Sequence, residues 1–247
     1  MLLKFSPMKN NTKLKKIGNW ADHYVGYTFS LPSGYSCPGA SECLSKADKD
    51  TGKITDGKDM LYRCFSATTE SVHKNTRDQR WYNFNLLRSL DYTGMYNLIS
   101  KSLEALPKKV NLIRIHVGGD FFNQTYYDVW QKVAYEHPHI TFYSYTKSIN
   151  YIFESKQFLC GIRSIPNFKI IASVGGKHDA IIEKYSDKRL AIIRSATVVN
   201  SIEQAQELGL EIDYDERLAI TGNKNFALLL HGNQPKATVR DPELQLV

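Results

Sequence analysis

The sequence predicts one α/β domain of about six βα units, a partial (βα)6 barrel with an open doubly wound sheet as the alternative. Three observations carry that expectation. Strand-like and helix-like segments alternate from about residue 112 to residue 230, the pattern of parallel βαβ units. One parity of several strands carries polar residues, whereas a filled barrel is packed with bulky apolar ones. The chain has 247 residues, 42% of them hydrophobic and 23% charged, which rules out a disordered chain and suits one α/β domain.

Taken in order, the chain opens on MLLKFSPMKNNTKLKK, where Lys4, Lys9, Lys13, Lys15 and Lys16 gather. A basic segment is expected over residues 1–20. It reads either as a solvated tail or as a contact for nucleic acid, because lysines held near phosphates release counterions. The net charge of +7 and the 15 tyrosines agree with the second use, but no nucleic-acid motif accompanies them. No apolar run is long enough for a secretory signal or a membrane span. A cytoplasmic protein with reduced thiols and no membrane partner is therefore expected.

The domain proper is expected over residues 21–235. Its first strand is placed at about Tyr24–Ser30 and leads into a cysteine loop at 37–64. Within that loop Lys46–Lys58 is polar and interrupted by glycine, a surface excursion. Phe84, Leu87 and Leu90 fall at helical spacing within Trp81–Leu90, and Met95–Leu106 continues as a second helix. Leu112–Val117 is a strand that runs into Gly118-Gly119-Asp120. A helix at Tyr126–Tyr135, with Val129, Trp130 and Val133 on one side, precedes a strand at Ile140–Tyr145. Then come helix Tyr151–Cys160, strand Phe168–Val174, helix His178–Tyr185, strand Leu190–Val199, helix Ile202–Leu208 and a last strand, Phe226–Leu230. Residues 236–247 read as a tail.

Four cysteines are too few for a disulfide scaffold. Cys37, Cys43 and Cys64 nevertheless lie within 28 positions, and Pro38-Gly39 turns the chain directly after the first of them. The loop follows a strand, so it stands at the edge where α/β folds place their sites. Three uses compete: an iron–sulfur cluster held by three thiolates, a zinc ion with His73 as fourth ligand, and reduced thiols without metal. Cys160, at the end of a predicted helix, reads as buried packing, with a place as fourth ligand the lesser alternative.

Polar residues near the strand ends form a second constellation. Arg114, His116, Ser144, Lys147, Ser173, Arg194 and His231 are candidates for contacts to substrate or cofactor. Buried polar groups are costly unless they are satisfied, so their recurrence points to a lined cavity. Gly118 and Gly119 let a ligand approach the backbone, and Asp120 offers a carboxylate to an ammonium group.

Three thiolates after strand one, with Gly-Gly-acid after strand two, resemble the radical S-adenosylmethionine superfamily. The resemblance implies a six-unit βα partial barrel of the TIM-like kind. It implies a [4Fe–4S] cluster on Cys37, Cys43 and Cys64, and S-adenosylmethionine on the fourth iron. Gly118, Gly119 and Asp120 would contact its amine, and one electron from the cluster would release a 5′-deoxyadenosyl radical. The spacing C-x5-C-x20-C departs from the usual C-x3-C-x2-C. Asp120-Phe121 replaces Glu-Pro, and Arg63 stands where an aromatic residue normally precedes the third cysteine. The segments SLPSGYSCPGASECLSKAD, RCFSATTE, IRIHVGGDFFNQ, FYSYTKS and LLLHGNQPK more closely resemble the bacteriophage "gene product 88" family, across most of residues 27–236. That resemblance implies a viral protein in the host cytoplasm.

Three functions follow as expectations: a radical S-adenosylmethionine-type enzyme of unassigned substrate and catalytic residues, an electron-transfer or non-catalytic iron–sulfur protein on the same fold, and a basic nucleic-acid-binding phage protein.

Overall fold

The structure is a computed structural model. It describes residues 1–155, 165–185, 193–232, 234 and 235. Cys160 and the tail 236–247 lie outside the described residues, as do parts of the expected helix Tyr151–Cys160 and strand Leu190–Val199.

The chain starts with a two-residue strand, β1 (Ser6–Pro7), and two short 3-10 turns, Met8–Asn10 and Leu14–Asn19. After β2 (Gly26–Phe29) comes a hairpin of β3 (Ser45–Ala47) and β4 (Ile54–Asp56). Three helices follow, α1 (Phe65–Val72), α2 (Lys74–Leu87) and α3 (Tyr92–Glu104). Strand and helix then alternate: β5 (Leu112–Ile115), α4 (Gln124–Glu136), β6 (Thr141–Thr146), the helix Asn150–Glu154, β7 (Phe168–Ser173) and the helix Asp179–Tyr185. The last elements are β8 (Arg194–Val199), the helix Ile202–Glu207, β9 (Glu211–Ile212), the helix Arg217–Thr221 and β10 (Phe226–Leu229).

β2, β5, β6, β7, β8 and β10 pair in that order, and every ladder between them is parallel. β1 adds an antiparallel edge beside β2, and β9 a parallel edge beside β10. The order of those six strands thus follows chain order without the reversal of a doubly wound sheet. No ladder joins β1 to β9 among the described residues, so the sheet has two edges. This order is common to an open sheet wound in one direction and to a partial barrel.

Alternation along the strands divides the interior in two. Phe29, Ile113, Ile115, Phe142 and Ala172 belong to the larger core, with α3 and α4 packed on it. In α3 the buried stripe is Met95, Ile99 and Leu103, one residue per helical turn. Burying each side chain contributes about 1.5–3 kcal/mol. The Asp91 side chain starts this helix by accepting from Gly94 N–H, and Asn123 starts α4 by accepting from Tyr126 N–H.

The other strand face forms a second core. Leu112, Tyr143, Ile171, Ala196 and Phe226 meet Met8, Leu14, Ile17 and Ala21 there. This corrects the expectation of a solvated N-terminal tail. Lys4 N–H also donates to Asn83 Oδ1 at 2.8 Å, and Leu3 N–H to Ser102 Oγ at 2.9 Å. The apolar residues between the lysines hold the segment down.

Three further differences have local reasons. The polar stretch expected as a loop contains the β3–β4 hairpin, whose turn is closed by Asp48 accepting from Thr51 N–H and Oγ1. Helix α1 (FSATTESV) is rich in Ser and Thr and carries little periodic signal. Helix α2 begins seven residues before the expected Trp81 because its first turns bury Arg77, which donates to backbone carbonyls, and Arg80, which is paired with Glu70, rather than exposing them.

Candidate functional site

A cavity of about 180 Å³ opens at the C-terminal ends of the central strands. Cys37, Cys43 and Cys64 line it together with Gly118, Gly119, Asp120, Ser173 and His231. Arg114, His116, Tyr145 and Lys147 complete its polar wall, and Val117, Val198 and Leu228–Leu230 its apolar one.

The cysteine loop is laid across the strand ends by backbone contacts. Leu31 N–H donates to Gly118 O at 2.8 Å beyond β5. Glu42 N–H donates to Gly175 O at 3.1 Å, and Lys177 N–H to Gly39 O at 2.9 Å, beyond β7. Gly39 lies so close to the end of β6 that a Cβ would stand 2.1 Å from Lys147 O. Cys64 arrives separately, as the residue that caps the N-terminus of α1.

Behind the cysteines stands a buried pair that the sequence did not signal. Glu70 accepts from Ser33 N–H and Oγ at 2.9 and 2.8 Å and pairs with Arg80 at 2.5 Å. Arg80 also donates to Ser66 Oγ at 2.6 Å, which ties α1 to the loop.

All three cysteines are free thiols and half-buried. Burial raises each thiol above its ordinary value. Cys43 is pushed up to about 12, even though Lys147 pulls it down. Asp120 and the neighbouring thiols raise Cys37 further, and Cys64 raises Cys43, so the three groups feel one another. Backbone N–H groups counter this locally: Gly34 donates to Cys37 Sγ at 3.3 Å, and the Ser66 and Ala67 amides favour the Cys64 thiolate. Three mutually repelling thiolates in an apolar wall require a cation to ionise together. That donor set fits an iron–sulfur cluster.

It does not fit zinc with His73. His73 is exposed at the far end of α1, about 13 Å from Cys64 at the rise of a helix. Among the described residues no group of three or more His, Cys, Asp or Glu is gathered so that it could hold a metal ion.

Asp120 is buried and fully engaged. Its Oδ1 accepts from Thr146 Oγ1 at 2.6 Å and Phe121 N–H at 2.7 Å, and its Oδ2 from Lys147 N–H at 2.9 Å. Burial pushes its pKa up to about 6 against these bonds. Gly118 and Gly119 are required by packing within the protein. A Cβ on Gly118 would meet Ser66 Oγ at 2.3 Å, and one on Gly119, at φ +85°, Leu31 and Ser36 at 2.6 Å.

His116 also has a left-handed backbone, φ +67°, which turns its ring out of the strand alternation and onto Phe121 and Tyr126. Its Nε2 meets Tyr126 Oη at 3.1 Å, and burial followed by the Arg114 charge pushes it down to about 3. Lys147 donates to Val174 O at the end of β7. His231 packs on Phe65.

Two expected contact residues stand elsewhere. Ser144 shares a strand face with Phe142, is fully buried, and donates to Tyr145 O rather than lining the cavity. Arg194 opens β8 at the opposite edge, where it donates to Leu218 O and Ala219 O at 2.5 and 2.9 Å.

A family model described as Gene product 88 matches residues 1–243. The chain is 30% identical to the Gene 88 protein of Mycobacterium phage L5 over 146 residues, 56% of this chain and 54% of that protein. It is 29% identical to the Gene 88 protein of Mycobacterium phage D29 over the same length and shares. The chain thus spans about half the length of the curated relatives it matches. No solved structure matches it. No helix among the described residues is long and apolar enough to cross a membrane.

Proposed function

The chain belongs to the gene product 88 family, and from that premise we propose that it is a phage iron–sulfur protein whose Cys37, Cys43 and Cys64 hold a [4Fe–4S] cluster at the mouth of a ligand cavity. The observation that carries this reading is the convergence of three free thiols from two separate segments on one cavity wall. When bound, such a cluster supplies one electron, and an iron without a cysteine offers a position to a small ligand.

The chain's own groups then have definite work. The Gly34, Ser66 and Ala67 amides favour thiolates at Cys37 and Cys64. Lys147 favours the Cys43 thiolate. Val117 and Leu228–Leu230 give the cavity its apolar wall. We read the six consecutive parallel strands as the partial (βα)6 barrel that presents these groups.

The finer reading is a radical S-adenosylmethionine-type enzyme, supported by the space that continues from the thiols to Arg114, Ser173 and His231. A second reading is an electron-transfer protein. It is favoured by Asp120, whose two oxygens are already hydrogen-bonded, and by Gly118, whose carbonyl accepts from Leu31 and whose N–H faces Ser30 Oγ at 3.4 Å. Nucleic acid is a weaker partner, because Lys13 is paired with Glu216 and Lys4 stands over the Tyr82 ring.

Anaerobic reconstitution with iron and sulfide counting, followed by EPR with and without S-adenosylmethionine, tests these readings. About four irons per chain are expected. A spectrum perturbed by S-adenosylmethionine, with 5′-deoxyadenosine formed, supports the enzyme. A reducible cluster indifferent to it supports electron transfer. Failure to retain iron overturns both.

A further inference from the structure

The cavity wall below the thiol rim carries a charge arrangement that cluster binding does not use. Arg114 lies on β5 ahead of the Gly118–Asp120 turn and is nine-tenths buried. Its Nη1 pairs with Glu216 Oε2 at 3.1 Å, and its guanidinium stands over the Tyr145 ring at 5.0 Å. Its Nε is buried without a close hydrogen bond among the described residues. So is the hydroxyl of Tyr143, whose ring the guanidinium also faces at 5.8 Å and which is its weak polar neighbour on the core side. A buried donor left unmade is costly, and one that lines a cavity is satisfied by what enters the cavity.

The surrounding charge selects the class of ligand. Glu216 also pairs with Lys13 at 2.8 Å, so two cations share one carboxylate. Behind them Asp213 and Arg194 contribute one charge of each sign. The cluster of side chains therefore keeps one net positive charge. Burial first, and then the Lys13 and Arg114 charges, oppose protonation of His231, which also lines the cavity, while Glu216 favours it. His116, directly after that strand, has a second buried polar atom, Nδ1, without a partner among the described residues.

We propose that this end of the cavity binds the anionic group, a carboxylate or a phosphate, of a small-molecule substrate, with Arg114 Nε as its hydrogen-bond donor. The proposal rests on the reading of the cavity as a ligand site, and it identifies the substrate class for that site. A charge-assisted bond at a desolvated guanidinium gives both affinity and orientation.

The test uses the full chain purified without iron, so that its outcome does not depend on cluster assembly. Acetate, inorganic phosphate and acetamide are titrated by calorimetry. One saturable site for acetate or phosphate is expected, with acetamide, which has the shape of acetate without its charge, bound at least tenfold more weakly. Arg114→Lys keeps the charge and the partner of Glu216 but loses the Nε donor, and it is expected to cost about tenfold or more in affinity. Lys13→Gln retains the donor and is expected to weaken binding by a smaller factor. Preference for acetate or for phosphate identifies the group. Equal binding of acetamide, absence of anion binding, or unchanged affinity in a folded Arg114→Lys protein overturns the proposal. Anion binding in a chain that assembles no cluster would instead overturn the cluster reading alone.

Discussion

Arg114 on β5 and Lys13 in the N-terminal segment meet on one buried carboxylate, that of Glu216, at 3.1 and 2.8 Å. Glu216 is fully buried and holds a left-handed backbone, φ +66°, a conformation that costs a non-glycine residue on the order of 1 kcal/mol or more. The two ion pairs and the hydrogen bond from Tyr145 hold it there. The contact joins the segment beneath the sheet to the wall of the cavity.

Glu216→Gln is expected to destabilise the protein by about 3–5 kcal/mol, because it leaves Arg114 buried without its counter-charge. Burial raises the Glu216 pKa, and Arg114 and Lys13 outweigh that effect, so the carboxyl titrates below its ordinary 4.5. A depressed acid contributes stability that is complete above the unfolded value and is lost as pH falls below it. Thermal melts of the wild type should therefore lose stability below about pH 4.5, and Glu216→Gln should remove this part of the acid dependence.

Cys37→Ala, Cys43→Ala and Cys64→Ala are each expected to abolish or cripple the cluster, because each withdraws one of three thiolates. Cys160→Ala should leave iron content nearly unchanged. Iron analysis after anaerobic reconstitution reads both. An equal loss in Cys160→Ala would make that residue a fourth ligand.

Gly39→Ala is expected to lower iron retention without replacing any ligand. Its Cβ would stand 2.1 Å from Lys147 O and 2.9 Å from Ser148 N, backbone atoms that cannot step aside. The loop between Cys37 and Cys43 would have to lift from the end of β6. Gly18→Ala, where nothing lies within 4 Å, is the control and should retain iron as the wild type does.

The parts legible in the sequence are those written in short-range pattern. Five later strands fall within a few residues of their expected places because each is an apolar run bounded by turns. The gathering of Cys37, Cys43 and Cys64 with Asp120 was also legible, since strand-end loops after neighbouring strands share an edge. The Glu216 network was not, because its members come from four distant segments and DYDER reads as an exposed polar run. Ser144 and Arg194 do not line the cavity, for related reasons. Ser144 faces the larger core with Phe142, and a polar residue at the start of β8 sits at the edge opposite the site.

His116 gives the sharpest check of the local geometry at the end of β5. Its N–H donates to Phe29 O at 2.8 Å, and its φ of +67° carries the chain from the strand into the Gly118-Gly119 turn. His116→Gly and His116→Val both remove the ring and its contact with Tyr126, so their difference isolates the backbone. Glycine occupies the left-handed region freely, and a β-branched residue is strongly disfavoured there. The valine variant should be the less stable of the two by about 1–3 kcal/mol, the reverse of the order expected for an extended strand, where valine is favoured. Urea melts with equal m-values measure that difference. A valine variant as stable as the glycine one would mean that residue 116 is extended, and the turn presenting Asp120 to the cavity would then have to be redrawn.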